Sequence, residues 1–238
     1  EKLMDLLQND PDRLGSFMSS PVTLETTELY AIENYGSAMT PFYTTLALWV
    51  GGIVLVAIMK TRVQEDSKLG NMKPSQAYLG RYIISWFIGF IQASIICLGD
   101  LFFLDIQCPN PGLFLLAGWI SSLVYTGIIY TLTVSFSDIG KALSVILLVI
   151  QIAGAGGTFP IEVTPQFFQN VYPFLPFTYG INALRETVAG LYANDYWLDL
   201  LKLLAYIPIS LVLGLVLRNP LIRLNQFFEE RLEDTKLM

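Results

Sequence analysis

Long runs of apolar residues, joined by short polar connections, set the strongest limit on what this chain can fold into. The first run, residues 41–59, contains no charged residue. A helix needs about 20 mostly apolar residues to cross the roughly 30 Å hydrocarbon layer of a membrane. Four further runs cover residues 82–104, 113–136, 142–157 and 198–217. The sequence therefore predicts an all-α integral membrane domain over residues 41–217, with five transmembrane helices.

The composition agrees with lipid as part of the solvent. Charged residues make up only 14% of the 238 residues, against roughly 25% in soluble domains. The chain has no basic stripe with interleaved aromatic residues, which argues against binding of nucleic acid.

The sequence offers no nucleophile-base pair and no metal cluster for enzymatic chemistry. The chain contains no histidine, which excludes Ser-His and Cys-His nucleophile pairs and zinc sites built on HExxH. The pair Gly140-Lys141 lacks the first glycine and the final Ser or Thr of a phosphate-binding loop. Cys97 and Cys108 are expected to stay unbridged. We expect no enzyme activity, no cofactor and no metal.

Basic residues predict the orientation of the spans, because cytoplasmic loops carry an excess of Lys and Arg. Ten of them fall in the connection 60–81, the third-to-fourth loop and the tail, and four fall on the other side. The N-terminus is therefore predicted outside and the C-terminus in the cytoplasm.

Residues 1–40 are expected to be an extracellular segment at the end of an ectodomain. The tail 218–238 is expected to form an amphipathic helix on the inner leaflet. Because the sequence starts at Glu1 without an apolar signal segment, we expect a longer protein.

The stretch 158–190 is apolar but too often interrupted by proline to form one span, because proline removes a backbone donor. The interruptions are Pro160, Pro165, Pro173 and Pro176. A segment of this kind is predicted to enter the membrane from outside without crossing it, as a re-entrant helical hairpin.

Two short helices are predicted within this hairpin. The Thr164 hydroxyl is expected to cap the first, Pro176 to begin the second and Gly190 to end it. Aromatic side chains are predicted to anchor the hairpin at the level of the lipid headgroups. They are Phe167, Phe168, Tyr172, Phe174, Phe177 and Tyr179.

Three polar residues lie within the apolar runs. Asp100 falls near the outer end of its run, so an interfacial position competes with a functional intramembrane carboxylate. Gln92 and Gln151 lie deeper, where hydrogen bonding between helices competes with a polar lining of a translocation path.

The order of the proline motifs resembles the extracellular re-entrant signature of type-2 ABC exporter permeases. In detail it resembles the C-terminal membrane domain of the YhgE/Pip family, the phage infection proteins. The motifs are Phe159-Pro160, Thr164-Pro165, Tyr172-Pro173, Leu175-Pro176-Phe177-Thr178-Tyr179 and Asn182-Ala183-Leu184-Arg185-Glu186. The similarity extends to residues 19–22, 34–37, 41–43 and 49–52, and so covers nearly the whole chain.

The resemblance implies that the five spans are the second to sixth of a six-span, permease-like unit in a bacterial cell membrane. Such units are similar to halves of dimeric transporters, which implies a homodimer. The first hypothesis is the membrane domain of a cell-surface protein whose ectodomain can serve as a receptor for a phage adsorption protein. The alternatives are the transmembrane subunit of an ABC-type exporter driven by a separate ATPase, and a scaffold component of a type VII-like secretion machine.

Two groups of residues are candidates for function. On the outer hairpin, a structural role competes with gating of an outer vestibule; its candidates are Phe159, Pro160, Pro165, Pro173, Pro176, Tyr179, Arg185 and Glu186. In the connection 60–81, a coupling helix capped by Ser75 competes with a plain basic loop. The candidates there are Lys73, Ser75, Tyr78 and Arg81.

Overall fold

The computed structural model describes residues 30–59 and 74–217, and the regular structure in this part of the chain is helical throughout. The chain divides into two compact units, Glu1–Ala31 and Ile32–Met238, and all described helices belong to the second. Most of the predicted extracellular segment, and the whole predicted C-terminal tail, lie outside the described residues.

The first three helices are long and apolar: α1 (Tyr35–Ile58), α2 (Pro74–Phe102) and α3 (Pro111–Phe136). Asn34 caps α1, since its side-chain oxygen accepts a hydrogen bond from the Ser37 amide at 2.8 Å. Proline as the first residue of α3 fits a helix start, where no intrahelical donor is needed.

The starts of the first two helices differ from the starts of the apolar runs that predict the spans. Both α1 and α2 begin well before the apolar runs 41–59 and 82–104, because polar start signals precede the hydrophobic stretch. The prediction that Ser75 caps a separate short helix is wrong. Ser75 is the second residue of α2, and this helix continues without interruption into the span.

The fourth apolar run forms α4 (Asp138–Gly154), a helix of 17 residues that starts four residues before the predicted run 142–157 and ends three before its end. A single residue, Ser137 with φ of 55°, separates α3 from α4. The two helices therefore form a tight antiparallel pair. Gly140 makes the close approach possible, because a Cβ atom at this position would overlap the backbone carbonyl of Leu132.

The proline-rich stretch contains two short α-helices, α5 (Gln166–Val171) and α6 (Pro176–Ala189). A 3₁₀ turn, Ile161–Val163, precedes α5, and a second, Tyr172–Phe174, lies between the two helices. The Thr164 hydroxyl donates to the Ile161 carbonyl at 2.7 Å instead of capping α5, so this part of the prediction is wrong.

The start and end of α6 follow the prediction. Pro176 is its first residue, and the helix ends at Gly190 with φ of 127°, a conformation that favours glycine.

The last apolar run is interrupted. It forms α7 (Asp195–Leu204), α8 (Tyr206–Val212) and a π-helical turn, Leu213–Leu217. The break at Ala205 has a local cause: Pro208 has no amide hydrogen for the carbonyl four residues earlier, and its ring crowds that carbonyl. The α-helix is therefore interrupted three residues before Pro208, the residue predicted to kink the run 198–217.

Within residues 30–59 and 74–217, four helical regions are long and apolar enough to cross a membrane: α1, α2, α3 and Asp195–Val216. Helix α3 lies at the centre, where it contacts α1, α2, α4, α6, α7 and α8. Its buried residues accordingly point in all directions around the helix. The described domain is thus a multi-pass, all-helical membrane fold built around α3.

Candidate functional site

The stretch Gly154–Gly190, called here the proline segment, lies at one end of the helix bundle, called the proline end. Helix α4 is about 26 Å long and α3 about 39 Å, and the two run antiparallel from Ser137. Helix α4 therefore stops short of the proline end. The proline segment occupies the space that is left, and Gly157 within it lies directly against Phe42 and Ile181.

Phe177, at the start of α6, reaches the middle of the bundle. Its ring lies 5.5 Å from the ring of Trp49 and 5.4 Å from that of Tyr125, residues in the middle of α1 and α3. The Tyr125 hydroxyl donates to the Pro176 carbonyl at 3.4 Å. Phe177 is fully buried, so its predicted position among the lipid headgroups is wrong.

A missing side chain allows α6 to lie this close to α3. A Cβ atom on Gly180 would overlap the Tyr125 hydroxyl. From there α6 runs towards the proline end. Its residues Ala183, Leu184 and Val188 belong to one buried apolar cluster with Phe114 of α3.

Arg185 connects α6 to the chain that leaves α4. Its Nη2 donates to the Gly156 carbonyl at 3.1 Å, and its Nη1 donates to Asn182 Oδ1 at 3.4 Å. Gly156 has φ of 66°, which a glycine adopts at low cost. The guanidinium thus holds the proline segment through a main-chain carbonyl.

Two clefts lie on either side of Arg185. One, of about 460 Å³, is lined by the turn from Gly156 to Glu162 together with Tyr172. The other, of about 350 Å³, is lined by charged residues of α6 and α7, among them Asp195 and Lys202. Because Arg185 lines both clefts, a movement of its side chain would change both at once.

Glu186 fixes the loop that follows α6, because its carboxylate accepts a hydrogen bond from the Tyr192 amide. The Tyr179 hydroxyl donates to the Pro173 carbonyl at 2.6 Å, and Lys202 Nζ lies 5.4 Å from the centre of the Tyr179 ring. Of the remaining candidates of the hairpin, Phe159, Pro160, Pro165 and Pro173 are exposed, whereas Pro176 is buried.

The opposite end of the bundle, called the tyrosine end, contains three packed rings: Tyr78 and Tyr82 of α2 and Tyr130 of α3. The centres of the Tyr78 and Tyr130 rings are 5.3 Å apart. The Tyr130 hydroxyl donates to the Tyr78 carbonyl at 2.9 Å, and the Tyr78 and Thr131 hydroxyls share a hydrogen bond of 2.7 Å. We call Tyr78, Tyr82 and Tyr130 the tyrosine cluster.

The tyrosine cluster also includes a contact with the last helical region. A Cβ atom on Gly214 would overlap the ring of Tyr78, so the backbone of the π-helical turn lies on this ring. Of the predicted coupling residues, Ser75 is exposed and Arg81 is half-buried, both on α2, while Lys73 lies outside the described residues. Tyr78 is thus the coupling candidate that is bound into the bundle.

The polar residues predicted within the spans differ in their surroundings. Asp100, near the end of α2, accepts a hydrogen bond from the Thr44 hydroxyl at 2.6 Å. Gln92 lies over α1, where a Cβ atom on Gly51 would overlap its side chain. Gln151 is fully buried, and its Oε1 accepts a hydrogen bond from the Phe177 amide at 3.2 Å. Each of them therefore contacts another helix.

Cys108 lies in the loop between α2 and α3. Its thiol donates to the Thr187 carbonyl of α6 at 3.4 Å. Burial raises the pKa of this thiol, and the Asn110 backbone and the Thr187 side chain lower it to a smaller extent. Cys97 and Cys108 are both free, as predicted.

Sequence reasoning missed three glycines and one tryptophan that position these residues. Gly140, Gly180 and Gly214 each lie where a neighbouring helix leaves no space for a Cβ atom. Trp49, which donates to the Ser144 carbonyl at 3.1 Å, lies between α1, α4 and α6. Glycines inside apolar helices were the available signal, since small residues let transmembrane helices approach closely.

Comparisons with known proteins agree with this architecture. The profile of the family described as ABC-2 family transporter protein matches residues 4–216. Uncharacterized protein YhgE of Bacillus subtilis (strain 168) is 27% identical over 179 residues, which are 75% of this chain and 23% of that protein. Linearmycin resistance permease protein LnrN of the same organism is 27% identical over 154 residues, which are 63% of this chain and 40% of that protein. No solved structure gives a significant match.

The chain thus spans less than half of the length of both relatives. The family match covers most of the sequence and includes all the described helices. The predicted resemblance is confirmed: the chain belongs to the ABC-2 family of transporter proteins, as a YhgE-like, permease-like membrane domain.

Proposed function

We propose that this chain is the membrane domain of an exporter that works with a separate ATPase. In this proposal α4 crosses the membrane as a short fifth span, and the proline segment is a re-entrant hairpin that closes the outer end of a path. The observation that carries the proposal is the contact of Phe177 with Trp49 and Tyr125. A segment that enters the bundle to its middle and returns can close a path from one side without crossing it.

The proposed orientation has the proline end outside the cell. It is supported by the ten basic residues of the sequence that fall on the other side. In this orientation the tyrosine cluster lies towards the cytoplasm, where an ATPase would bind. Because Tyr78 packs on α3 and on Gly214, a displacement at the start of α2 would be transmitted to two other spans.

The experiment is co-purification of the full-length protein from its native membrane, followed by a measurement of ATP hydrolysis in the sample. We expect a bound ATPase, and we expect its loss when residues 60–73 are scrambled. Scrambling the exposed loop 191–194 at the proline end is the matched control and should leave the ATPase bound. The exporter proposal is ruled out if the purified protein carries no ATPase and deletion of its gene causes no export defect.

A second candidate function is the anchoring of an ectodomain that a phage adsorption protein recognises. It is favoured by the 27% identity with YhgE over an alignment that covers 75% of the chain, together with the resemblance of the proline motifs to the YhgE/Pip family, the phage infection proteins. Deletion of the ectodomain from the full-length protein tests it, with adsorption of phage to cells as the readout. Adsorption that persists after the deletion would show that the ectodomain is not the receptor.

We also propose that two copies associate through α4. Val145, Val149 and Ile152 form an exposed apolar row on this helix, and their helical spacing places them on one face. In a background without Cys97 and Cys108, oxidation of a Val149→Cys variant should produce a disulfide-linked dimer. The control is Ile95→Cys on the exposed face of α2, which should remain monomeric; equal crosslinking at both positions would contradict an interface on α4.

A further inference from the structure

A cavity of about 180 Å³ lies between α3, α4 and α8, with the proline segment at one end. Its walls are almost entirely apolar and include Trp49, Leu147 and Ile209. Apolar cavities of roughly this size, about 150 Å³, stay free of water and bind small hydrocarbons. The cavity is therefore suited to an apolar group.

One polar group on the wall of this cavity has an unused hydrogen-bond donor. Gln151 is fully buried, and its Oε1 accepts the hydrogen bond from the Phe177 amide. This bond fixes the orientation of the side-chain amide, because only the oxygen can accept. Nε2 then finds no partner among the described residues. A buried donor without a partner is unfavourable, so the position calls for an acceptor.

Two of the three other hydroxyl-bearing residues on the wall, Ser210 and Thr131, are already engaged; the third is Tyr206. The Ser210 hydroxyl donates within α8, to the carbonyls of Tyr206 and Ile207. The Thr131 hydroxyl shares its hydrogen bond with Tyr78. Gln151 Nε2 is thus the buried donor beside this cavity that has no partner among the described residues and that a bound molecule could use, with the Tyr206 hydroxyl as a second polar group on the same wall.

The cavity is open towards the surroundings of the spans. Ile209, on its wall, is 62% exposed and lies within the candidate span Asp195–Val216. The opening between α4 and α8 therefore faces hydrocarbon, and a molecule dissolved in the membrane can reach it sideways. Gln151 lies about 20 Å along α4 from its start, which is deeper than the ester groups of phospholipids at the membrane surface.

From these observations we propose that the cavity binds a neutral lipophilic molecule that carries a carbonyl oxygen. The apolar part fills the cavity between Trp49 and Leu147, and the carbonyl accepts a hydrogen bond from Gln151 Nε2. The proposal requires the membrane position of α4 and α8 but not transport, so it can fail while the exporter proposal stands. If both hold, this site gives the substrate class of the exporter.

Quenching of Trp49 fluorescence by bromine-containing probes tests the proposal. The full-length protein in detergent carries Trp86→Phe, Trp119→Phe and Trp197→Phe, which leaves Trp49 as the reporter within the described domain; any tryptophan elsewhere in the protein is replaced likewise. The two probes are methyl 6-bromohexanoate, which has a carbonyl acceptor, and 1-bromohexane, which lacks one. We expect half-quenching by the ester at a concentration about three- to tenfold lower than by the bromoalkane, as one hydrogen bond provides.

Two variants and one control reporter complete the experiment. Gln151→Leu should remove the preference for the ester, and Leu147→Phe should fill the cavity and suppress quenching by both probes. A protein that retains Trp86, on the exposed face of α2, should be quenched equally by both probes. Circular dichroism and size-exclusion chromatography of each variant show whether it is folded, and the probe comparison in the parent protein needs no cavity variant.

Several results would overturn the proposal. Equal quenching of Trp49 by the two probes, or an ester preference that survives Gln151→Leu, would reject the hydrogen bond. Quenching that is unchanged in Leu147→Phe would place the probes outside the cavity. Dibrominated phosphatidylcholine in vesicles provides a further arm: if it quenches Trp49 and the free ester does not, the occupant is a phospholipid and the proposed ligand class is wrong.

Discussion

Tyr78 lies enclosed by α2, α3 and the last helical region at one end of the bundle, whereas Arg185 at the other end reaches between two open clefts to a main-chain carbonyl. At the tyrosine end the side chains of different spans contact each other directly. At the proline end α6 is packed into the bundle, while the surface part of the proline segment, residues 156–174, is held by separate hydrogen bonds to its backbone oxygens. The difference indicates that the tyrosine end behaves as one packed unit, and we expect the surface part of the proline segment to move without unfolding the bundle.

The largest effect is expected at the close approach of α3 and α4. Gly140→Ala places a methyl group against the Leu132 carbonyl, which is backbone and cannot turn away. We expect the free energy of unfolding, measured in mixed detergent micelles, to fall by about 3 kcal/mol, the upper end of the range for overpacking. The matched control is Gly80→Ala on α2, where a Cβ atom meets open space; it should be neutral or slightly stabilising. Equal stability of both variants would contradict a rigid tyrosine end.

A pair of tyrosine variants compares the two ends directly. Tyr78→Phe removes a buried hydroxyl and takes the partner from Thr131, which should destabilise the protein by about 1–2 kcal/mol. Tyr179→Phe removes a hydroxyl bonded to the Pro173 carbonyl at the surface, and water can replace it. We expect the free energy of unfolding to fall by less than about 0.5 kcal/mol, measured by the same unfolding experiment. A larger effect of Tyr179→Phe would reverse the comparison.

Arg185 provides the local test of the proline end. Arg185→Gln loses the bond to the Gly156 carbonyl, so the turn after α4 should open more often. Amide hydrogen exchange in residues 155–165 should accelerate about two- to fivefold, because a hydrogen bond contributes about 0.5–1 kcal/mol. Exchange in residues 125–135 serves as the internal control and should not change. Acceleration along the whole chain would indicate that Arg185 supports the entire bundle.

The smallest effect concerns Cys108, at the edge of the proline end. Because burial raises the pKa of its thiol, less thiolate is present at a given pH, and alkylation should be slower than for an exposed cysteine. In a Cys97→Ala background, the rate with N-ethylmaleimide should keep rising above pH 8.5, the ordinary thiol pKa. A Cys97→Ala, Cys108→Ala, Asn194→Cys variant provides the exposed reference. Equal rates at pH 7.5 would show that Thr187 does not shield the thiol.

The sequence predicted the membrane class and the helix breaks within the proline segment, because both depend on local features. Uncharged runs report burial in lipid, and prolines report where a helix cannot continue. The ends of α6 could be predicted for the same reason, from Pro176 and Gly190. The depth of Phe177 could not, because it depends on the close contact of α6 with Tyr125, and hence on a glycine far away in the sequence from that residue. The packing of Tyr78 could not be predicted either, since its partners Thr131 and Gly214 belong to other spans.

The single-residue connection at Ser137 has a consequence for the biogenesis of the domain. In the usual sequence of events, transmembrane helices insert separately and associate afterwards. Here α3 and α4 are joined by one residue, and Gly140 already lies against Leu132 when both helices exist. With α4 as the short fifth span proposed above, we expect these two helices to leave the insertion machinery as one hairpin, with their mutual orientation set before any other helix binds. The core on which α1, α2 and the proline segment assemble would thus be a helical pair that forms during synthesis.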